Sequence, residues 1–207
     1  LERPIAVLRR WDRKVALDSV AMTLVHFFGV AMFEHLTRPV VMADVEWAGR
    51  DTTPEHRLAT FAAALSKLSA DFGTWGVPWG EVNRYQRLDG AIEQRFDDAR
   101  PSLPVAMASG SWGALAAFGA VPGAGTKRIY GQKGNSFVAV VEFGPRVKAK
   151  SLLAGGQSGD PASPHFAAAA PCALGRGKFR RNGSAASAAL RGYCSTGQKR
   201  GLPANSA

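Results

Sequence analysis

Cysteine is nearly absent from this 207-residue chain: there are two, Cys172 and Cys194, both in its last fifth. A framework of disulfide bridges is thereby excluded, and two cysteines do not specify a redox compartment. Long apolar runs are also missing. The longest approach to one, Val20 to Phe33, is interrupted by Thr23 and His26 and falls short of the roughly 18–20 residues of a membrane span. No basic segment followed by an apolar one opens the chain, which starts at Leu1, so no secretion signal is expected in it and a processed or partial chain is. A Walker loop, a Gly-x-Ser-x-Gly elbow and a Cys-x-x-Cys pair are lacking, as is a dinucleotide fingerprint in a strand–helix setting. With no pair of His, Cys or carboxylate residues at ligand spacing, neither a metal site nor a cofactor is expected.

Acidic residues are absent from Ala167 onward, where seven basic ones stand (Arg176, Lys178, Arg180, Arg181, Arg191, Lys199 and Arg200). The remaining 19 of the 26 basic residues face all 16 acidic ones in residues 1–166, so the net charge of +10 belongs mainly to the tail. Ala, Gly and Ser make up 21 of the 41 tail residues. That composition offers little apolar surface to offset chain entropy, and a disordered tail over 167–207 is expected, with at most a frayed helix around Ser184–Leu190. Such a tail can bind phosphate backbones, but no aromatic residue alternates with its charges as a stacking platform requires. A basic nucleic-acid-binding protein is therefore the rival reading rather than the leading one.

At 46% apolar and 20% charged, the chain has ordinary globular composition. Residues 4–37 read as helical: Leu8, Trp11 and Val15 fall at helical spacing. Asp18 or Ser19 can then cap a segment carrying Val20, Leu24, Phe27, Phe28 and Ala31, which Gly29 weakens without breaking. A loop with Pro39 and a polar stretch over 44–51 follow. Thr52 with Glu55 fits a capping box, Pro54 sits in the first turn, and Leu58, Phe61, Ala62, Leu65 and Leu68 share one face. His26 reads as a core histidine, His35 and His56 as solvated ones.

After Gly73 the texture turns to strand and loop. Ser136 to Phe143 is the best strand, with Val147 to Leu153 its partner across Gly144–Pro145. Helices followed by antiparallel strands imply an α+β fold with helices packed on a sheet. Ser111 and Ser158 read as turn residues with no base nearby in sequence, Glu81 and Arg84 as a surface ion pair, and Asp97 and Asp98 as turn residues.

Resemblance goes further. The string Gly134-Asn135-Ser136-Phe137-Val138-Ala139-Val140-Val141-Glu142-Phe143-Gly144 leads into Gly155-Gly156-Gln157-Ser158-Gly159-Asp160-Pro161-Ala162-Ser163-Pro164-His165-Phe166. It resembles the C-terminal end of the β subunit in the penicillin acylase family of N-terminal-nucleophile amidohydrolases. That family includes penicillin, cephalosporin, aculeacin-type and acyl-homoserine-lactone acylases. The stretch Trp79-Gly80-Glu81-Val82-Asn83-Arg84-Tyr85, the later Leu103-Pro104-Val105 and the early Leu8 to Asp12 segment are similar to it as well. The resemblance spans residues 5–166. It implies a partial αββα sandwich, hydrolysis of a small-molecule N-acyl amide, and a periplasmic or secreted enzyme without cofactor or membrane. It also implies a nucleophilic serine and oxyanion hole upstream of this segment, so that the chain alone is inactive and its partner is the remainder of the acylase. After Phe166 the chain departs from the family pattern, as a changed reading frame would make it do; a degenerate, non-catalytic remnant is the corresponding alternative.

Glu142 is the single residue that the resemblance puts in the site. It looks like the counterpart of a glutamate that orients a histidine beside the nucleophile. On an alternating strand it shares a face with Val138 and Val140, and a buried carboxylate there would need such a partner. In the opposite arrangement Phe137, Ala139, Val141 and Phe143 face the core and Glu142 faces water.

Overall fold

The computed structural model describes residues 1–34, 50–91, 93–114, 117–153, 155, 158–167, 170 and 180–182. Helix α1 (Glu2–Arg9) stops well before the second helix begins. Trp11 and Val15, at helical spacing, lie in a loop instead. Asp12 accepts the Lys14 N–H in a local turn at 2.9 Å, the Trp11 indole donates to the Lys14 carbonyl, and Arg13 adopts φ 61°. A side chain competing for the backbone and a left-handed residue together end the helix. Both apolar residues still pack, from the loop, against the core.

Helix α2 (Val20–Glu34) is capped by Ser19, whose hydroxyl accepts the Met22 N–H at 3.1 Å. It is apolar around most of its circumference because it is covered on two sides. Leu24 packs toward Phe61, Leu65 and Leu68 of α3 (Pro54–Phe72). Met22 packs toward Val77, Trp79, Val82, Ala108 and Ile129. The cap of α3 is Thr53, not Thr52: its hydroxyl accepts the His56 N–H, while Thr52 receives the Arg57 guanidinium. Pro54 at the first helical position suits Thr53 as the cap. Leu58, expected on the apolar face, is exposed, and Thr60 and Ala64 are buried in its stead. Gly73 closes the helix at φ 76°.

A short helix α4 (Trp79–Val82) leads directly into β1 (Asn83–Tyr85). The first sheet has the order β2-β1-β4-β3, with β2 Leu103–Pro104, β3 Phe118–Pro122 and β4 Ile129–Gly134. It is mixed. β1 pairs antiparallel with β2 but parallel with β4, which corrects the expectation of antiparallel strands throughout. The second sheet has the order β5-β6-β7, from β5 (Phe137–Glu142), β6 (Lys148–Leu153) and β7 (Arg180–Asn182). The hairpin expected across Gly144–Pro145 is present and runs from Phe137↔Leu153 to Glu142↔Lys148. A cluster of Val105, Phe118 and Ala170, joined by Val138, ties the two sheets together. Helices packed on a mixed sheet make the chain α+β. His35, Pro39, Gln157, both cysteines and the segment Ser184–Leu190 lie outside the described residues, as does most of 167–207.

Candidate functional site

The stretch that follows α4 places polar groups in the interior. Asn83 is fully buried and donates through Nδ2 to the carbonyls of Val105 (3.0 Å) and Met107 (2.8 Å), while its Oδ1 is buried without a partner. The Trp79 indole donates to the same Met107 carbonyl. Gln86, also buried, spans the connection to β2 by donating to the carbonyls of Asp97 and Arg100 and accepting the Asp97 N–H. These amides substitute for backbone partners that an irregular loop cannot supply.

A charged cluster sits at one end of the first sheet. Arg84 does not pair with Glu81 as its sequence position suggested. Its guanidinium donates to the carbonyl of Gly80 and to both the hydroxyl and carbonyl of Ser102, and burial foremost lowers its pKa. Glu81 lies 4.0 Å from Arg128 instead. Asp98 accepts the N–H groups of Lys127 and Arg128 and the Tyr130 hydroxyl. Burial opposes its ionisation, but those hydrogen bonds and the Arg128 charge outweigh it and hold the carboxyl below its ordinary value. The Tyr130 hydroxyl is pushed up to about 12 by burial and by its bond to Asp98. Every group here is engaged with backbone or with another member of the cluster. The arrangement fastens the 97–100 and 126–128 turns to the sheet, and it presents no nucleophile.

The serines have structural work. Ser109 accepts the Ser111 N–H, Ser158 the Asp160 N–H and Ser163 the His165 N–H, so the loop at 158–166 is a succession of side-chain-capped turns. Its Pro161 ring sits where a Cβ at Gly90 would be. Glu142 is exposed and forms an ion pair at 3.2 Å with Lys148, its cross-strand neighbour, each side chain about 70% accessible. Of the other β5 residues only Val138 is half-buried; Phe137, Ala139, Val140 and Val141 are exposed, so neither face of the strand is turned into a core. Among the described residues His26 is the histidine held in the interior, where the Trp112 indole donates to its Nδ1 at 3.2 Å. The structure thus brings His26, Trp79 and Trp112 together and leaves Glu142 on the surface with a lysine.

Among the described residues there is no group of three or more His, Cys, Asp or Glu able to hold a metal, and no helix long and apolar enough to cross a membrane. No curated protein matches the chain. The family model described as penicillin amidase matches residues 1–180, from α1 to the start of β7 and fourteen residues past Phe166. That match takes in the Trp79–Tyr85 stretch, the hairpin and the capped loop at 158–166, and the chain belongs to the penicillin amidase family, whose members are amide hydrolases.

Proposed function

We propose that this chain forms the terminal part of the catalytic subunit of an N-acyl amide hydrolase and that the nucleophilic serine is supplied by another segment. The observation that carries this reading is the family match over residues 1–180. Its support is that the serine hydroxyls at 109, 158 and 163 are occupied in capping turns. In the complete αββα enzyme, a terminal serine attacks the acyl carbonyl with its own amine as base. Backbone and amide donors then hold the oxyanion, and water releases the acid. The substrate is a β-lactam side chain amide or an acyl-homoserine-lactone or lipopeptide-type amide, handled in the periplasm or outside the cell. The purified 207-residue chain is expected to release no amine from a chromogenic phenylacetyl or long-acyl amide, because removing nucleophile and oxyanion hole together leaves little catalysis. Co-expression with the polypeptide encoded directly upstream is expected to restore turnover. Turnover by the chain alone, above a boiled control, overturns the proposal.

Within that enzyme Glu142 is a candidate positioning residue for a histidine beside the nucleophile. In the reconstituted enzyme Glu142→Gln is expected to lower kcat on the order of tenfold with little change in KM, since the lost charge acts mainly in the transition state. Wild-type kinetics would remove Glu142 from the site.

A further inference from the structure

The group that no step above uses is His26. It lies on α2 with its ring 5.0 Å from that of Trp79 and edge-on to Phe27 and Trp112. Trp112 belongs to the short loop Gly110–Trp112, far from α2 in sequence, and reaches it in three ways. Its indole N–H donates to His26 Nδ1, its ring stacks on Phe33 at 5.1 Å, and its six-membered ring fills the space beside Gly29 that any Cβ there would occupy. An imidazole accepting at Nδ1 is neutral and holds its proton on Nε2. Protonation of Nδ1 would set one N–H against another and remove this polar tie between the loop and the helix.

We infer that the Trp112 indole is a latch fastening the 109–113 loop to α2, and that protonation of His26 opens it. Among the described residues no charge on the packed elements competes for the imidazole. The loop is Ser109-Gly110-Ser111-Trp112-Gly113 and carries none. On α4, Glu81 faces Arg128. On α2, Glu34 stands exposed at the far end. The charged residues of α3 (Glu55, His56, Arg57, Lys67, Asp71) belong to a helix that packs on Leu24 and Phe28, the side of α2 opposite His26. Burial disfavours the charged ring and lowers the pKa of His26 to about 4, and the indole bond to Nδ1 acts in the same direction.

The test follows the indole N–H resonances of the full chain by proton–nitrogen correlation spectra from pH 7.5 down to pH 3.5, with Trp112→Phe identifying the Trp112 signal. The Trp112 signal is expected to move or vanish with a midpoint near pH 4 while that of Trp79, bonded to Met107, stays in place. His26→Asn puts an amide oxygen where Nδ1 was and cannot be charged; it is expected to flatten the profile. Loss of both indole signals together in the wild type, or an unchanged profile in His26→Asn, overturns the inference. Should His26→Asn fail to fold, titration of the His26 ring itself decides. Trp112→Phe, by withdrawing the bond that favours the neutral ring, raises its midpoint if the latch exists, and an unmoved midpoint overturns it.

Discussion

Strands β4 and β5 follow one another with two residues between them, and their burial is the reverse of their composition. β4 has two large apolar residues, Ile129 and Tyr130, and both are buried. β5 has four, Phe137, Val138, Val140 and Val141, of which only Val138 is even half-covered; Phe137 is 59% and Val140 57% exposed, and Phe143 beyond the strand reaches 84%. An apolar strand is thus not in itself a core strand. β4 is covered because α2 and α4 deliver Met22, Trp79 and Val82 to its face. Nothing among the described residues does the same for β5 beyond Val138. An edge strand this apolar, with a single charge, is what proteins ordinarily avoid showing to solvent. In the proposed enzyme, the remainder of the acylase is the natural cover.

The contrast is broken most severely at Trp79. Truncating this buried ring to Ala is expected to cost about 3–5 kcal/mol by lost burial and the cavity left behind, and to leave the Met107 carbonyl with Asn83 as its remaining side-chain donor. Urea unfolding measures this, and a loss below about 1 kcal/mol would show that the first sheet is as loosely held as the hairpin. Acid comes next. His26 titrates at about 4 in the folded chain against an ordinary 6.5, so folding favours the neutral ring. Its contribution is whole above pH 6.5 and is lost as the pH falls through about 4. Complete loss amounts to roughly 3 kcal/mol, read as the difference in pH-dependence between wild type and His26→Asn.

Tyr130→Phe removes a hydroxyl shared by Asp97 and Asp98 while keeping the ring stacked on Phe96. About 1–2 kcal/mol is expected from the lost hydrogen bond to an ionised carboxylate, since the Asp97 carbonyl keeps Gln86 and the Asp98 carboxylate keeps the backbone N–H groups of Lys127 and Arg128. At the small end, Glu142→Gln and Val140→Thr in the isolated chain are each expected to stay within about 0.5 kcal/mol, because one breaks an exposed ion pair and the other changes an exposed side chain. A cost above 2 kcal/mol for either would mean that the hairpin is buried in solution, by self-association or otherwise.

The sequence made some of this legible and not the rest, for physical reasons. The second and third helices and the hairpin declare themselves through local pattern: Ser19 as a cap, the spacing of Phe61, Leu65 and Leu68, and the turn at Gly144–Pro145. His26 as a core histidine follows from the apolar helix around it. What depends on contact between distant segments left no local signal. Trp11 and Val15 mimic helical spacing across a turn that Asp12 and Arg13 impose. Arg84 has an acidic residue three positions away and bonds to carbonyls instead. Asn83 and Gln86 look like ordinary strand and loop residues, and only the backbone they serve reveals them. Glu142 was placed by resemblance, with the burial of its face left open between two arrangements; in the chain by itself both faces of the strand are largely open. Gly29, which reads as a weakness in a helix, is the seat of an indole.

The parallel pairing of β1 with β4 bears on how the chain reaches this state. Asn83 meets Ile129, which closes a loop of about 45 residues, whereas β5 meets β6 across a short turn. Loop closure must come before the contacts that reward it, so pairings between distant segments form late. The helices and the hairpin are therefore expected to gain hydrogen-exchange protection early in refolding, and the amides of β1 around Arg84, whose partners all lie far along the chain, only afterwards. During that interval the most apolar strand is present while the central sheet is not. Aggregation on refolding should accordingly start from residues 137–143 and fall when Val140 or Phe143 is made polar, at no cost to the speed with which the first sheet assembles.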